Sequence, residues 1–266
     1  MTQLPVASGV PRVGAFFDMD KTLIAENSAS LYMKDRYARG EITGMELLQG
    51  LGAYIQYKVG ILDIRSWTKT MMLQFRGQRE ADLEKEALEW FDDAVAPTVY
   101  PEAERLVREH AAAGHFVAIV SGATKFVVKP LAERLGIEHI LYTRLEVEDG
   151  AFTGRVIEPI CFEEGKIYWL QQFIEEYGID LAKSWFYTDS ITDRPLLDLV
   201  GHPVAVNPDP LLYREAVRRC WPVRFFEPPP APDASPPVAT TAGPGSSPRS
   251  RPSDARPGSA GPPDRP

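Results

Sequence analysis

The alternation of apolar and polar positions along the chain divides it into short strand-like and longer helix-like segments. VGAFFDMD (residues 13–20) is a brief apolar run that breaks into polar residues, as a buried parallel strand does at its end. Residues 28–95 then carry apolar positions three and four apart in four successive segments: SASLYMKDRYARG, TGMELLQGLGAYIQYKVG, DIRSWTKTMMLQF and READLEKEALEWFDDAV. That spacing predicts four helices separated by Gly or polar breaks. From Pro101 the pattern becomes a helix–strand rhythm. EAERLVREHAAAG leads into the strand HFVAIVSG, KFVVKPLAERLG into the strand HILYT, and GKIYWLQQFIEEYG into the strand SWFYTD. PLLDLVG then reads as a helix before a last strand, PVAVN. Between them RLEVEDGAFTGRVIE predicts a hairpin, because Asp149-Gly150 between alternating residues is a strong turn signal.

Strand–helix alternation predicts an α/β fold, a doubly wound parallel sheet with helices on both faces. The all-helical block 28–95, following the first strand, is expected to be an insert lying over the C-terminal edge of the sheet, as a lid. The core is then residues 12–27 and 96–226, with 28–95 as a helical cap. The aromatic residues Tyr32, Tyr54, Tyr57, Trp67 and Phe75 sit at helical spacings in the insert and are expected to form its own core, with one or two of them the alternative candidates to face a ligand.

Composition changes the picture at one place. Residues 227–266 hold 13 of the 24 prolines and almost no aliphatic residues, so the segment cannot bury enough apolar area to offset its ordering entropy. A disordered Pro-rich tail is expected there. Its four Arg and four acidic residues cancel, which leaves the net charge of −8 to residues 1–226. That balance, with no basic stripe, argues against a nucleic-acid partner. Cys161 and Cys220 form neither a CxxC nor a zinc pattern and are expected as buried free thiols. The first residues lack the apolar core of a signal peptide, and no stretch has the ~18 apolar residues of a membrane span, so the expected location is cytoplasmic. The oligomeric state, monomer or homodimer, stays open. His110, His115, His139 and His202 show no paired ligand spacing and are expected at the surface or at strand edges.

Four stretches fall where predicted strands end or a helix begins: Asp18-Met19-Asp20, Ser121-Gly122, Lys166, and Asp189 to Asp193. A doubly wound sheet brings such points together. Several acids beside one Lys and one Ser make the inventory of a site for a divalent metal and a phosphate. Hard oxygen ligands suit Mg2+, and metal plus Lys neutralise a transferring phosphoryl group. Each residue also has a plainer reading. Ser121 could cap the following helix, Lys166 could lie on a helix surface, and Asp193 could cap the helix that contains Pro195.

FFDMDKTL, IVSG, the Gly-Lys pair 165–166 and YTDSITD, in that order, resemble the four motifs of the haloacid dehalogenase superfamily of phosphatases. The helical insert and the hairpin before Lys166 are similar to its subfamily IB, the phosphoserine phosphatase-like and histidinol-phosphate phosphatase-like group. The resemblance covers roughly residues 12–225. It implies that Asp18 is the nucleophile, forming an aspartyl-phosphate. Asp20 would be the general acid and base, with its backbone carbonyl on magnesium. Thr22 would order the loop and, with Ser121, Gly122 and Lys166, belong to the phosphate-binding set. Asp18, Asp20, Asp189 and Asp193 would form the metal set. Lys21 is unusual beside small residues in relatives and is expected to face solvent.

Asp20-Lys21-Thr22 also matches the phosphorylation signature of ion-pumping ATPases, but that reading requires membrane spans. Dehalogenases keep the first aspartate without using a second as proton donor. Receiver domains run to ~120 residues without a large insert. The resemblance therefore implies a magnesium-dependent phosphomonoester hydrolase acting on a small phosphorylated metabolite. A histidinol-phosphate phosphatase or a lipid-phosphate phosphatase is the alternative, and a non-catalytic binding protein on the same fold a more distant one. Asn27 stands where phosphoserine phosphatases carry a glutamate that reads the substrate's ammonium group, which weakens the case for phosphoserine. Arg36 and Arg65 could read a carboxylate or lie on the surface.

Overall fold

The computed structural model describes residues 12–58 and 63–229. The Pro-rich tail expected from residue 227 lies outside the described residues from 230 onward. Six parallel strands form one sheet in the order β3-β2-β1-β6-β7-β8. They are β1 (Gly14–Phe17), β2 (Phe116–Thr124), β3 (His139–Thr143), β6 (Trp185–Thr188), β7 (His202–Val206) and β8 (Val223–Arg224). β4 (Leu145–Glu148) and β5 (Ala151–Val156) make the separate antiparallel hairpin. Asp149 and Gly150 turn it with φ of 50° and 75°, the left-handed pair that a two-residue hairpin loop requires.

Period-two alternation decides which face each strand residue serves. Ala15, Phe17, Ile119, Tyr187 and Val206 pack on one side. There they meet α5 (Pro101–Ala112) and α6 (Lys125–Leu135). Phe16, Ala118, Val120, Phe186 and Ala205 pack on the other, against α7 (Glu164–Tyr177), α8 (Arg194–Leu197) and α9 (Pro210–Arg219). A strand buried on both faces has no room for alternation with polar residues, hence the uninterrupted GAFF. Each buried Phe contributes about 1.5–3 kcal/mol relative to exposure.

The inserted helices are α1 (Ser28–Ala38), α2 (Gly44–Lys58), α3 (Ile64–Met72) and α4 (Glu80–Trp90). A π-helical turn over Phe91–Val95 returns the chain to the core. Trp90 and Phe91 are buried in the core cluster, and Tyr32 meets Trp90 edge to face at 5.6 Å.

The structure adds two elements that the sequence pattern did not supply, α9 and β8. The helix expected at PLLDLVG is a single turn. Two smaller expectations change. His110 is 7 % exposed, neither at the surface nor at an edge; its Nε2 pairs with the Tyr187 hydroxyl at 2.7 Å and its Nδ1 with His115 Nδ1 at 2.8 Å. Cys161 is buried as expected, whereas Cys220 is exposed; both are free thiols. No helix among the described residues is long and apolar enough to cross a membrane.

Candidate active site

The strand order reverses between β1 and β6, and this is the crevice where doubly wound sheets hold ligands. Parallel pairing sets Phe17 beside Tyr187, and the Asp18 amide donates to the Tyr187 carbonyl at 2.9 Å. Asp18 and Asp189 therefore leave adjacent strands side by side. Beyond Asp18 the chain turns tightly: the amides of Thr22, Leu23 and Ile24 all reach the Met19 carbonyl at 2.9–3.3 Å. Lys21 takes a left-handed backbone, φ 58°, which a small residue tolerates best. Its side chain lines the cavity described below instead of facing solvent.

Lys166, in the first turn of α7, is 4 % exposed. Its Nζ donates to Asp18 Oδ1 at 2.7 Å and to Asp193 Oδ2 at 2.8 Å. Burial pulls its pKa down, but the two carboxylates outweigh burial and hold it above the ordinary lysine value. Burial also dominates at Asp18, pushing its carboxyl up against the pull of Lys166. Both plainer readings fail here. Lys166 is not on a surface. Asp193 occupies the N-cap position of α8 without a side-chain capping bond, and its Oδ2 accepts instead from Lys166 and from the Thr188 hydroxyl at 2.7 Å.

Asp20 is held by three donors. Asn27 Nδ2 donates to its Oδ2 at 2.9 Å, the Ser28 amide to Oδ1 at 3.1 Å, and Ser28 Oγ to Oδ2 at 3.2 Å. Asn27 at the same time caps α1, its Oδ1 accepting from the Ser30 amide at 2.9 Å. Burial, then the neighbouring Asp18 charge, raise the Asp20 pKa, while the Ser28 bonds oppose them; it stands at about 7. A carboxyl poised there can both give and take a proton.

Ser121 is buried at the end of β2, and its Oγ accepts from the Ala123 amide at 3.2 Å. Thr124, not Ser121, precedes α6. Gly122 is required by a neighbour: a Cβ there would lie 2.3–2.7 Å from the Phe162 ring. Asp18, Asp20, Ser121, Gly122, Lys166, Asp189 and Asp193 all line one cavity of about 330 Å³, roofed by the inserted helices. Thr22 does not. It is 1 % exposed, its Oγ1 has no hydrogen-bond partner, and it stands behind the loop rather than in the cavity.

Two contributors were missed from sequence. Ser28 holds Asp20, as above. Asp209 fixes the loop that follows β6: its amide donates to the Asp189 carbonyl at 2.8 Å and its Oδ2 accepts from the Ile191 amide at 3.0 Å. Asp209-Pro210, a capping residue before a Pro at the first helical position, was the available signal.

Comparison with known proteins agrees with this geometry. The family model of haloacid dehalogenase-like hydrolases matches residues 15–198. The inhibition of morphological differentiation protein of Streptomyces azureus is 36 % identical over 227 residues, 83 % of this chain and 80 % of its own. The histidinol-phosphatase of Neisseria meningitidis serogroup C is 34 % identical over 218 residues, 80 % of this chain and 98 % of its own. A solved structure of a Bordetella pertussis protein of unknown function superposes with a TM-score of 0.74 at 30 % identity, covering 81 % of this chain and 99 % of that one. The chain belongs to the haloacid dehalogenase-like hydrolases.

Proposed function

We propose that this hydrolase removes phosphate from a small phosphomonoester through an aspartyl-phosphate on Asp18. The observation that carries the reading is the buried Lys166 bridging Asp18 and Asp193 in the same cavity as Asp20. A carboxylate oxygen of Asp18 attacks phosphorus, and the ester P–O bond breaks. Asp20 gives its proton to the departing alkoxide and then takes one from the water that hydrolyses the acyl phosphate, freeing Asp18. Lys166 and Ser121 offset charge on the phosphoryl oxygens, and Asp193 with Thr188 holds Lys166 in place.

The donor set fits magnesium. Asp18, Asp189 and Asp193 are all buried and line one cavity, and Asp18 and Asp193 share Lys166, so hard carboxylate oxygens of the kind magnesium takes are gathered there. Among the described residues no three His, Cys, Asp or Glu side chains stand close enough to cage an ion. Magnesium needs no such cage, since it binds through one or two carboxylates and completes its shell with water and substrate oxygens. Asp18, Asp189 and the Asp20 carbonyl would hold it. When bound, it supplies positive charge to the transferring phosphoryl group.

The test is phosphate release from p-nitrophenyl phosphate with magnesium present. Chelation should abolish it, and Asp18→Asn should lower it by more than about a thousandfold, as loss of a nucleophile does. Full activity in Asp18→Asn would overturn the mechanism.

A further inference from the structure

The inserted helix α3 carries an apolar stripe that lies outside the two core clusters, with Phe75 at its end meeting Phe152 of the hairpin edge to face. Ile64, Trp67, Met71, Met72 and Phe75 fall three, seven, eight and eleven positions apart from Ile64, on one face of the helix and its final turn. An amphipathic surface helix normally spends such a stripe on the core. Here none of the five belongs to either core cluster, and the one buried residue of α3 is Thr68. All five instead line the cavity that holds Asp18 and Lys166. Tyr32 lines it too, so Tyr32, Trp67 and Phe75 wall the cavity; the side chains of Tyr54 and Tyr57 lie outside the described residues.

Three arginines of the insert are paired. Arg36 donates to Glu41 at 3.1 Å and to Gln74 at 3.0 Å, Arg39 pairs with Asp35 and Glu41, and Arg65 donates to Glu164 at 2.5 Å. Neither Arg36 nor Arg65 lines the cavity; Arg39 does, already paired with Asp35 and Glu41. Along the α3 side the carboxylate of a phosphorylated amino acid would meet indole, thioether and phenyl groups, which is strongly unfavourable without a partner. Methionines at such a wall adapt to flexible apolar chains.

We propose that the substrate is the phosphomonoester of an amphiphilic alcohol, with phosphate held at Asp18 and Lys166 and an aliphatic chain lying along the α3 stripe. The inference rests on the hydrolase reading of Asp18.

The experiment measures kcat/KM with magnesium for linear alkyl phosphates from ethyl to decyl, below micelle formation. Phosphoserine, 1-naphthyl phosphate, a lysophosphatidate and p-nitrophenyl phosphate complete the panel. Each added methylene should raise kcat/KM by about fourfold until the cavity is filled. Octyl phosphate and the lysophosphatidate should exceed phosphoserine by more than about a hundredfold, the product of only a few such steps. In Met71→Asn the octyl-to-ethyl ratio, taken within one preparation, should fall severalfold. A flat series with measurable ethyl phosphate turnover overturns the inference and leaves the hydrolase reading standing. So does 1-naphthyl phosphate outrunning every aliphatic ester. No phosphate from any ester, p-nitrophenyl phosphate included, overturns the hydrolase reading and the inference with it.

Discussion

Asp18 and Asp20 are chemically alike and two residues apart, and their neighbours separate them. Asp18 faces an ammonium group; Asp20 faces an amide, a hydroxyl and a backbone N–H. Burial raises both carboxyls; at Asp18 the ammonium of Lys166 opposes that rise, whereas Asp20, with no cation bonded to it, stands at about 7 and can exchange protons. Asp20→Asn should therefore depend on the leaving group. Alkyl phosphates, whose alkoxides need protonation, should lose about 10²–10⁴-fold in kcat/KM, and p-nitrophenyl phosphate much less. Equal losses in kcat/KM on both would remove Asp20 from the general-acid role. That Asp18, Asp20, Lys166 and Asp189 come together was legible in the sequence, because each stands near the end of a predicted strand or the start of a helix. The part played by Asn27 was not. A sequence shows an amide after a strand but not the acceptor it reaches, and here one side chain caps α1 and orients Asp20 together. Thr22 erred in the other direction, since a hydroxyl in a phosphate-binding motif turned inward.

At the scale of elements, the strands other than β8, the hairpin and the four inserted helices were legible because their periods are clear and their turns carry Gly or Asp-Gly. α9 was lost behind a run, PDPLLYREAVRR, whose prolines suggest a loop until Asp209 is recognised as a cap. That helix matters beyond its own packing. Asp209 Oδ1 accepts from the Leu211 and Leu212 amides while Oδ2 holds Ile191, so one carboxylate joins the start of α9 to the loop bearing Asp189 and Asp193. Asp209→Ala should cost about 1–2 kcal/mol, measurable by urea unfolding. The magnesium concentration for half-maximal activity should rise in the same variant. A helix cap and nothing more would give the first effect without the second.

At the scale of the molecule, the two ends of the sheet have opposite chemistry. The C-terminal end gathers charge; the N-terminal end gathers rings. His110 is buried beneath Phe17, which stacks on Tyr187 at 4.6 Å, and His115 stacks on Trp185, itself stacked on His202. Burial, then the facing His115, hold the His110 pKa down at about 4 from its usual 6.5. The folded state thus binds fewer protons than the unfolded one between these values, so stability falls as pH drops through that window, by at most about 3 kcal/mol from this group. Replacing it, as in His110→Asn, should flatten the dependence of unfolding free energy on pH between 7 and 4.5. An unchanged slope would assign the acid lability elsewhere.

The position of β1 bears on how the chain comes to be active at all. It is made before every other strand of the sheet and lies in its middle, with β2 on one side and β6, some 170 residues further along, on the other. Contacts so distant in sequence form late, after the entropy of closing long loops has been met. While the chain is being synthesised, GAFF has no β6 to pair with, and Asp18 has neither Lys166 nor Asp189. Asp18, the nucleophile we propose, precedes Lys166 by 148 residues, so a chain not yet made as far as Lys166 lacks the site that reading requires.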